Sequence, residues 1–204
     1  MSDSILQALH DRVLLCDGGT GSRVQAMDLQ LERDYWGQEK CTEVLNLSRP
    51  DIVRELARGY FEAGSDIAQT NSFGGSPLTL GAFGLAARAR EINRLAAELA
   101  REAAAEFTDG RTRYVLGSIG PGTKLPSLGN IDYDTLEAAF AEQSRGLLDG
   151  GVDAFLIETC QDTLQIKAAV HVAKAARAEP GRDIPVLVQV TVETTGTLLV
   201  GPDI

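Results

Sequence analysis

The feature that most constrains this chain is an alternation of two kinds of apolar segment. Short runs of strand type, Val13 to Cys16, Asp66 to Thr70, Tyr114 to Ile119, Asp153 to Thr159 and Ile184 to Val192, are separated by longer stretches with helical spacing. Those stretches, Asp51 to Ala63, Ala86 to Glu106, Tyr133 to Leu148 and Thr163 to Ala178, are rich in Ala, Leu, Glu, Arg and Lys, which lose little side-chain freedom in a helix. Strand-helix alternation predicts a parallel sheet with right-handed crossovers. The boundaries agree. Pro50 follows the hydroxyl of Ser48, Asp162 or Thr163 can cap the last helix, and Gly64 and Gly150-Gly151 stand where helices must stop before a strand.

A helix-turn-strand unit recurs in Phe61-Glu62-Ala63-Gly64-Ser65-Asp66 and in Leu148-Asp149-Gly150-Gly151-Val152-Asp153, which suits an α/β barrel of the (β/α)8 TIM type. The chain has 204 residues, whereas such barrels run to about 250. The expectation is therefore a barrel truncated to about its first five β/α units. No linker, charge block or low-complexity segment divides it, so residues 1–204 read as part of one domain. With 19 Lys and Arg against 29 Asp and Glu, the net charge of −10 argues against nucleic acid or an anionic membrane as a partner. No stretch reaches the roughly 18 apolar residues that a membrane helix needs, and a cytoplasmic setting with reduced thiols is expected.

In a βα barrel the chemistry sits at the carboxyl ends of the strands. Asp17-Gly18-Gly19-Thr20-Gly21-Ser22 follows the first run, Thr70-Asn71-Ser72-Phe73 the second, Ser118-Ile119-Gly120-Pro121 the third and Glu158-Thr159-Cys160-Gln161-Asp162 the fourth. Asp17 precedes two glycines whose amides are free to face an anion, although an Asx turn would use the same carboxylate. Glu158 ends an apolar run, where a carboxylate is costly unless it is paired or meets a cationic ligand. Together they could hold a substrate ammonium while the glycine loop takes a carboxylate, which is the complement of an amino acid. Asn71 is either a side-chain amide in the mouth or the closure of its own turn. Cys160 has no nearby His, since His10 precedes the first strand and His171 lies in a helix, so it reads as a small buried residue rather than a nucleophile. Cys16 reads as strand packing, Cys41 as a loop residue, and Tyr35-Trp36 as a lid or an anchor for the first loop. The three cysteines form no CxxC pair, and none is assigned to a metal.

In Asp17-Gly18-Gly19-Thr20-Gly21, Asn46 to Asp51, Phe61 to Gly64 with Thr70-Asn71-Ser72-Phe73, Gly117 to Pro121, Lys124 to Gly129, Leu156 to Asp162 and Thr191 to Gly201, the sequence resembles the homocysteine S-methyltransferase family. The resemblance is strongest to the homocysteine-binding domain of its cobalamin-dependent methionine synthase branch and spans residues 12–204. It implies a (β/α)8 barrel in which zinc activates the homocysteine thiol for methyl transfer to form methionine. The implied donor is methylcobalamin on another domain, recharged from methyltetrahydrofolate by a third. Carried over, Asp17 and Glu158 contact the substrate amino group, Gly18, Gly19 and Thr20 lie near its carboxylate, and Asn71, Ser118 and Thr159 complete the substrate-binding set.

Two departures accompany the resemblance. Gln69 stands where the family often has Glu. The family's zinc cysteines, one after the sixth strand and a pair near the eighth, would lie beyond residue 204, and Cys16, Cys41 and Cys160 do not match them. The 204 residues alone are therefore expected neither to bind zinc at that site nor to turn over. Two alternatives remain: a stand-alone member of the family using S-methylmethionine or betaine as donor, and a non-enzymatic binding or interaction module.

Overall fold

A computed structural model describes residues 4–177 and 184–200. The amino-terminal third is mostly helical: α1 (Ile5–Asp11), α2 (Thr20–Gln25), α3 (Leu31–Asp34), α4 (Leu45–Ser48) and α5 (Pro50–Glu62). Strand and helix then alternate through β1 (Ile67–Gln69), α6 (Pro77–Gly81), α7 (Ala89–Ala105), β2 (Tyr114–Ile119), α8 (Tyr133–Asp149), β3 (Ala154–Cys160), α9 (Thr163–Arg177) and β4 (Val186–Val190). The four strands are all parallel, in the order β1-β2-β3-β4. Because spatial order follows chain order, the sheet is wound in one direction only, without the reversal that marks a doubly wound fold.

The two faces of the sheet follow from the period of two along each strand. Ala68, Val115, Ile119, Phe155 and Ile157 face the helices and pack with Phe61, Ala97, Phe140, Leu147 and Ala169. Ile67, Tyr114, Leu116, Ala154 and Leu156 point the other way and are closed off by Ile5 of α1. Two residues further along that second face come Ser118 and Glu158, at the carboxyl end of the sheet. The same alternation that buries the core thus delivers polar side chains to one rim.

The helix boundaries fall close to the expected ones, with instructive differences. Gly64 and Gly151 adopt the left-handed backbone that ends a helix before a strand, while Gly150 keeps a helical backbone as the cap residue of α8. Asp162 caps α9 by accepting from Leu164 N at 2.8 Å and also takes two hydrogen bonds from Ser127. Ser48 does not cap α5, because its hydroxyl donates back to the carbonyls of Asp34 and Val44. The expected end of the last helix at Ala178 lies outside the described residues, as does Gly201.

The first apolar run is the main correction to the strand list. Val13 to Cys16 forms no regular strand, only a parallel bridge between Cys16 and Ile67, with Asp66 N and Ile67 N donating to the Leu15 carbonyl. The run is four residues long, and among the described residues one of its edges has no partner strand. Val13 is 91% exposed in consequence.

Candidate functional site

One cleft of about 530 Å³ opens at the carboxyl end of the sheet. Gly18, Gly19, Thr20, Gln69, Asn71, Ser118 and Glu158 all contribute to its wall. Asp17 lines a smaller cavity that shares Thr20, Gln69 and Asn71 with this cleft. Thr159 does not line the cleft. It holds a φ of +60°, a strained conformation for a β-branched residue, where β3 shifts register between Ile157 and Cys160, and its side chain faces solvent. A separate groove of about 350 Å³ between α8 and α9 gathers none of these residues.

Glu158 reaches the rim from the end of β3 and accepts a hydrogen bond of 2.5 Å from Ser118 Oγ on β2. Burial pushes its carboxyl above the usual carboxylate range, the Ser118 hydroxyl pulls it back, and the charge of Asp17 pushes it up again. Asp17 accepts from Gln69 N at 2.8 Å and from the Cys16 thiol at 3.4 Å, so one of its oxygens fastens the first loop to β1. Its carboxyl is also raised, chiefly by burial. Among the described residues neither carboxylate has a cationic partner within ion-pair distance. Two half-buried acids that repel each other and have no cationic partner among the described residues are electrostatically uncompensated, which is an arrangement that a cationic group can offset.

Beside them, the backbone N–H groups of Gly18, Gly19 and Thr20 make no hydrogen bond within the described residues. The Gly19 carbonyl is held by Tyr60 Oη at 3.2 Å, and a side chain at Gly18 would press on the same hydroxyl. The loop therefore lies against α5 with its amides unengaged. Asn71 does not close its own turn: its Nδ2 donates to Thr42 O at 2.8 Å and to Asn46 Oδ1 at 3.0 Å, and Asn46 Nδ2 donates back to Asn71 O, which ties the loop after β1 to the segment before α5. Tyr35-Trp36 also anchors, since the buried Asp34 beside it is paired with Arg33 and Arg49, and Arg88 covers the Trp36 ring.

Sequence reading missed most of the second wall of the cleft, which adds Lys40, Thr42, Glu43, Thr79 and Phe83 to the expected Phe73. Glu43 is the most informative of these. It is buried, accepts from Gly74 N at 2.6 Å, and its carboxyl is raised by burial. The available signal was weak, an acid directly before the short apolar pair Val44-Leu45. Three helix amides, Asn93, Gln143 and Gln165, were missed as well, although each occupies a position on the apolar stripe of its helix.

The described residues do not suit a zinc site. No group of three His, Cys, Asp or Glu side chains comes together among them. Burial pushes the thiols of Cys16 and Cys41 up to about 11 and that of Cys160 up to about 12. Cys160 is buried, with its Sγ 3.6 Å from the Glu158 carbonyl.

With this geometry in hand, the relatives are informative. The chain is 48% identical over 201 residues to methionine synthase of Mycobacterium tuberculosis and 47% identical to methionine synthase of Mycobacterium leprae, covering 98% of this chain each time. It spans only 17% of the length of either relative. Its fold is that of the homocysteine methyltransferase MmuM from Escherichia coli, with TM-scores of 0.79 and 0.78 to the oxidized and metallated forms at 24% identity, covering 70% of that chain. No helix among the described residues is long and apolar enough to cross a membrane. The sequence model described as homocysteine S-methyltransferase matches residues 14–204, and the chain belongs to that family.

Proposed function

We propose that this chain supplies the amino-acid-binding part of a methyltransferase domain that forms methionine from homocysteine. The observation that carries the proposal is the pair Asp17 and Glu158, which line adjoining cavities at one rim, are near enough for the charge of Asp17 to raise the Glu158 carboxyl, and have no cationic partner among the described residues. The substrate ammonium sits between the two carboxylates, and the substrate carboxylate accepts from the free amides of Gly18, Gly19 and Thr20. Asn71 and Ser118 hold this frame, Ser118 by orienting Glu158, and Thr159 contributes through the bend that it puts in β3. The sulfur then extends into the remainder of the cleft. The groups that would activate the sulfur are not among the described residues, and the zinc cysteines implied by family resemblance would lie beyond residue 204.

The proposed donor is methylcobalamin on a separate domain, with methyltetrahydrofolate recharging it on another, in a cytoplasmic enzyme. What supports this branch is the 48% identity to a methionine synthase, set against 24% to the homocysteine methyltransferase MmuM.

Calorimetric titration with L-homocysteine tests the binding half. Wild-type protein is expected to bind, and Asp17→Asn and Glu158→Gln to bind about 10- to 100-fold more weakly, the effect of deleting one charge-assisted hydrogen bond. Unchanged affinity in both variants would refute the clamp. Because both carboxyls are raised, binding should weaken on acidification at a pH above the ordinary carboxylate values of about 4.

A further inference from the structure

Three polar side chains with no solvent exposure stand on successive helices of the outer layer: Asn93 on α7, Gln143 on α8 and Gln165 on α9. Each donates its amide N–H into a loop at the carboxyl end of the sheet. Asn93 Nδ2 reaches Gly75 O at 2.7 Å, and Gln165 Nε2 reaches Pro121 O at 2.7 Å and Lys124 O at 3.0 Å. Gln143 Nε2 reaches Ser72 O at 2.7 Å and Ser118 O at 3.4 Å. Each also leaves its amide oxygen buried without a partner among the described residues. The carbonyl acceptors fix which end is nitrogen, so an amide flip does not relieve this.

Gln143 braces a closed ring of hydrogen bonds whose donors can all be assigned. Ser118 N donates to Thr70 Oγ1 at 3.0 Å, which obliges the Thr70 hydroxyl to donate elsewhere. It donates to Ser72 Oγ at 2.6 Å, and Ser72 Oγ donates to Ser118 O at 2.7 Å, which closes the ring. All three residues are buried. The ring fixes both backbone polar groups of Ser118 and leaves one outlet, the Ser118 hydroxyl, donating to Glu158.

We propose that Gln143 is a positioning residue for Glu158, acting through the Thr70–Ser72–Ser118 ring. The proposal rests on the clamp reading of Glu158 and names what holds that carboxylate in place. Stability alone does not account for Gln143. Without it, Ser72 O would still accept from Gly75 N at 2.9 Å and Ser118 O from Ser72 Oγ, so no acceptor would be stranded. A Met of similar length would fill the space without burying an unpartnered oxygen. What Gln143 adds is a tether from α8 to the loop after β1 and to the rim of β2 at once. Around Glu158 stand Ser118 from β2 and Asp17 from the first loop, Cys160 and Asp162 follow it in sequence, and Lys40 and Glu43 line the same cleft.

The test is a carboxyl-carbon NMR titration of Glu158 in the 204-residue chain, assigned with Glu158→Gln, alongside homocysteine calorimetry. Gln143→Met is expected to keep the thermal midpoint, raise the Glu158 titration midpoint by about half a pH unit and weaken homocysteine binding about threefold, the equilibrium equivalent of that shift. Ser118→Ala, which removes the hydroxyl itself, moves the midpoint further in the same direction. Should Gln143→Met fail to fold, Thr70→Val opens the ring from its other side and is expected to raise the midpoint, with Thr70→Ser restoring it. A Glu158 midpoint unmoved by the ring variants while Ser118→Ala moves it overturns the proposal. If the midpoint moves but wild-type protein binds no homocysteine, the positioning role stands and the clamp falls. If binding depends on Glu158 while the midpoint ignores the ring, the clamp stands and the positioning role falls.

Discussion

Asp17 and Glu158 are held in a state that costs the folded chain stability. Their carboxyls are raised by burial, so the folded form prefers them protonated, and their contribution to stability falls as pH rises through the raised values. At neutral pH the Glu158 charge therefore works against folding. Glu158→Gln, which keeps an acceptor for Ser118, is expected to raise the thermal midpoint by a few degrees while it weakens homocysteine binding; a lowered midpoint by differential scanning fluorimetry would contradict the tension described for this rim. Asp66 is the opposite case. Its carboxylate is buried, bonded to Arg12, Arg111 and Leu15 N, and Arg12 above all holds it well below the usual range. Its contribution is complete above the unfolded value of about 3.9 and is lost as pH falls below it. Asp66→Asn should cost about 1–3 kcal/mol in urea denaturation at pH 7, and the deficit should shrink on acidification below pH 4. Position alone made Asp17 and Glu158 legible in the sequence, because each follows an apolar run directly. Glu43 and Gln143 were not, because an isolated polar residue in an apolar stripe does not reveal which loop it will meet.

The elements that carry the cleft are set by close contact between helices. An added Cβ at Gly146 of α8 would lie 2.6 Å from the Arg90 carbonyl, and one at its cap residue Gly150 2.4 Å from the Arg94 carbonyl, both backbone atoms of α7. These two glycines let the helices approach closely enough for Asn93 and Gln143 to reach the loops below them. Gly146→Ala is expected to destabilise the fold by about 1–3 kcal/mol in urea melts, and to loosen the Gln143 tether along with the helix pair. Helix type and span were readable, since amphipathic spacing and good helix formers agree through α5, α7, α8 and α9. The first strand was overread. Its apolar run has strand composition, but composition cannot say whether both edges will find partners, and only the bridge at Cys16 formed.

For the molecule as a whole, the open sheet leaves apolar side chains at both margins. Leu15 on one side and Val188, Val190 and Val192 on the other are 59%, 44%, 39% and 48% exposed. A parallel edge strand with exposed valines is a template for association. The 204-residue chain alone is expected to self-associate at micromolar concentration, and Val190→Lys to reduce this in sedimentation velocity without altering the circular dichroism. A monodisperse monomer from the unaltered chain would show that the margin is already protected.

The sequence by itself determined the repeating strand-helix order, the rim of the sheet at which polar strand ends gather, and the pair of acids following the first and fourth apolar runs. Those follow from local periodicity and from chain direction, which need no knowledge of what packs against what. Tertiary structure alone decided that Asn71 is spent on tying its loop to Thr42 and Asn46, that Thr159 is turned outward by a left-handed backbone, and that Gln143 reaches across to the ring beneath Glu158. Each of these depends on a contact between segments far apart in the chain, and hydrogen-bond geometry is fixed only when those segments meet.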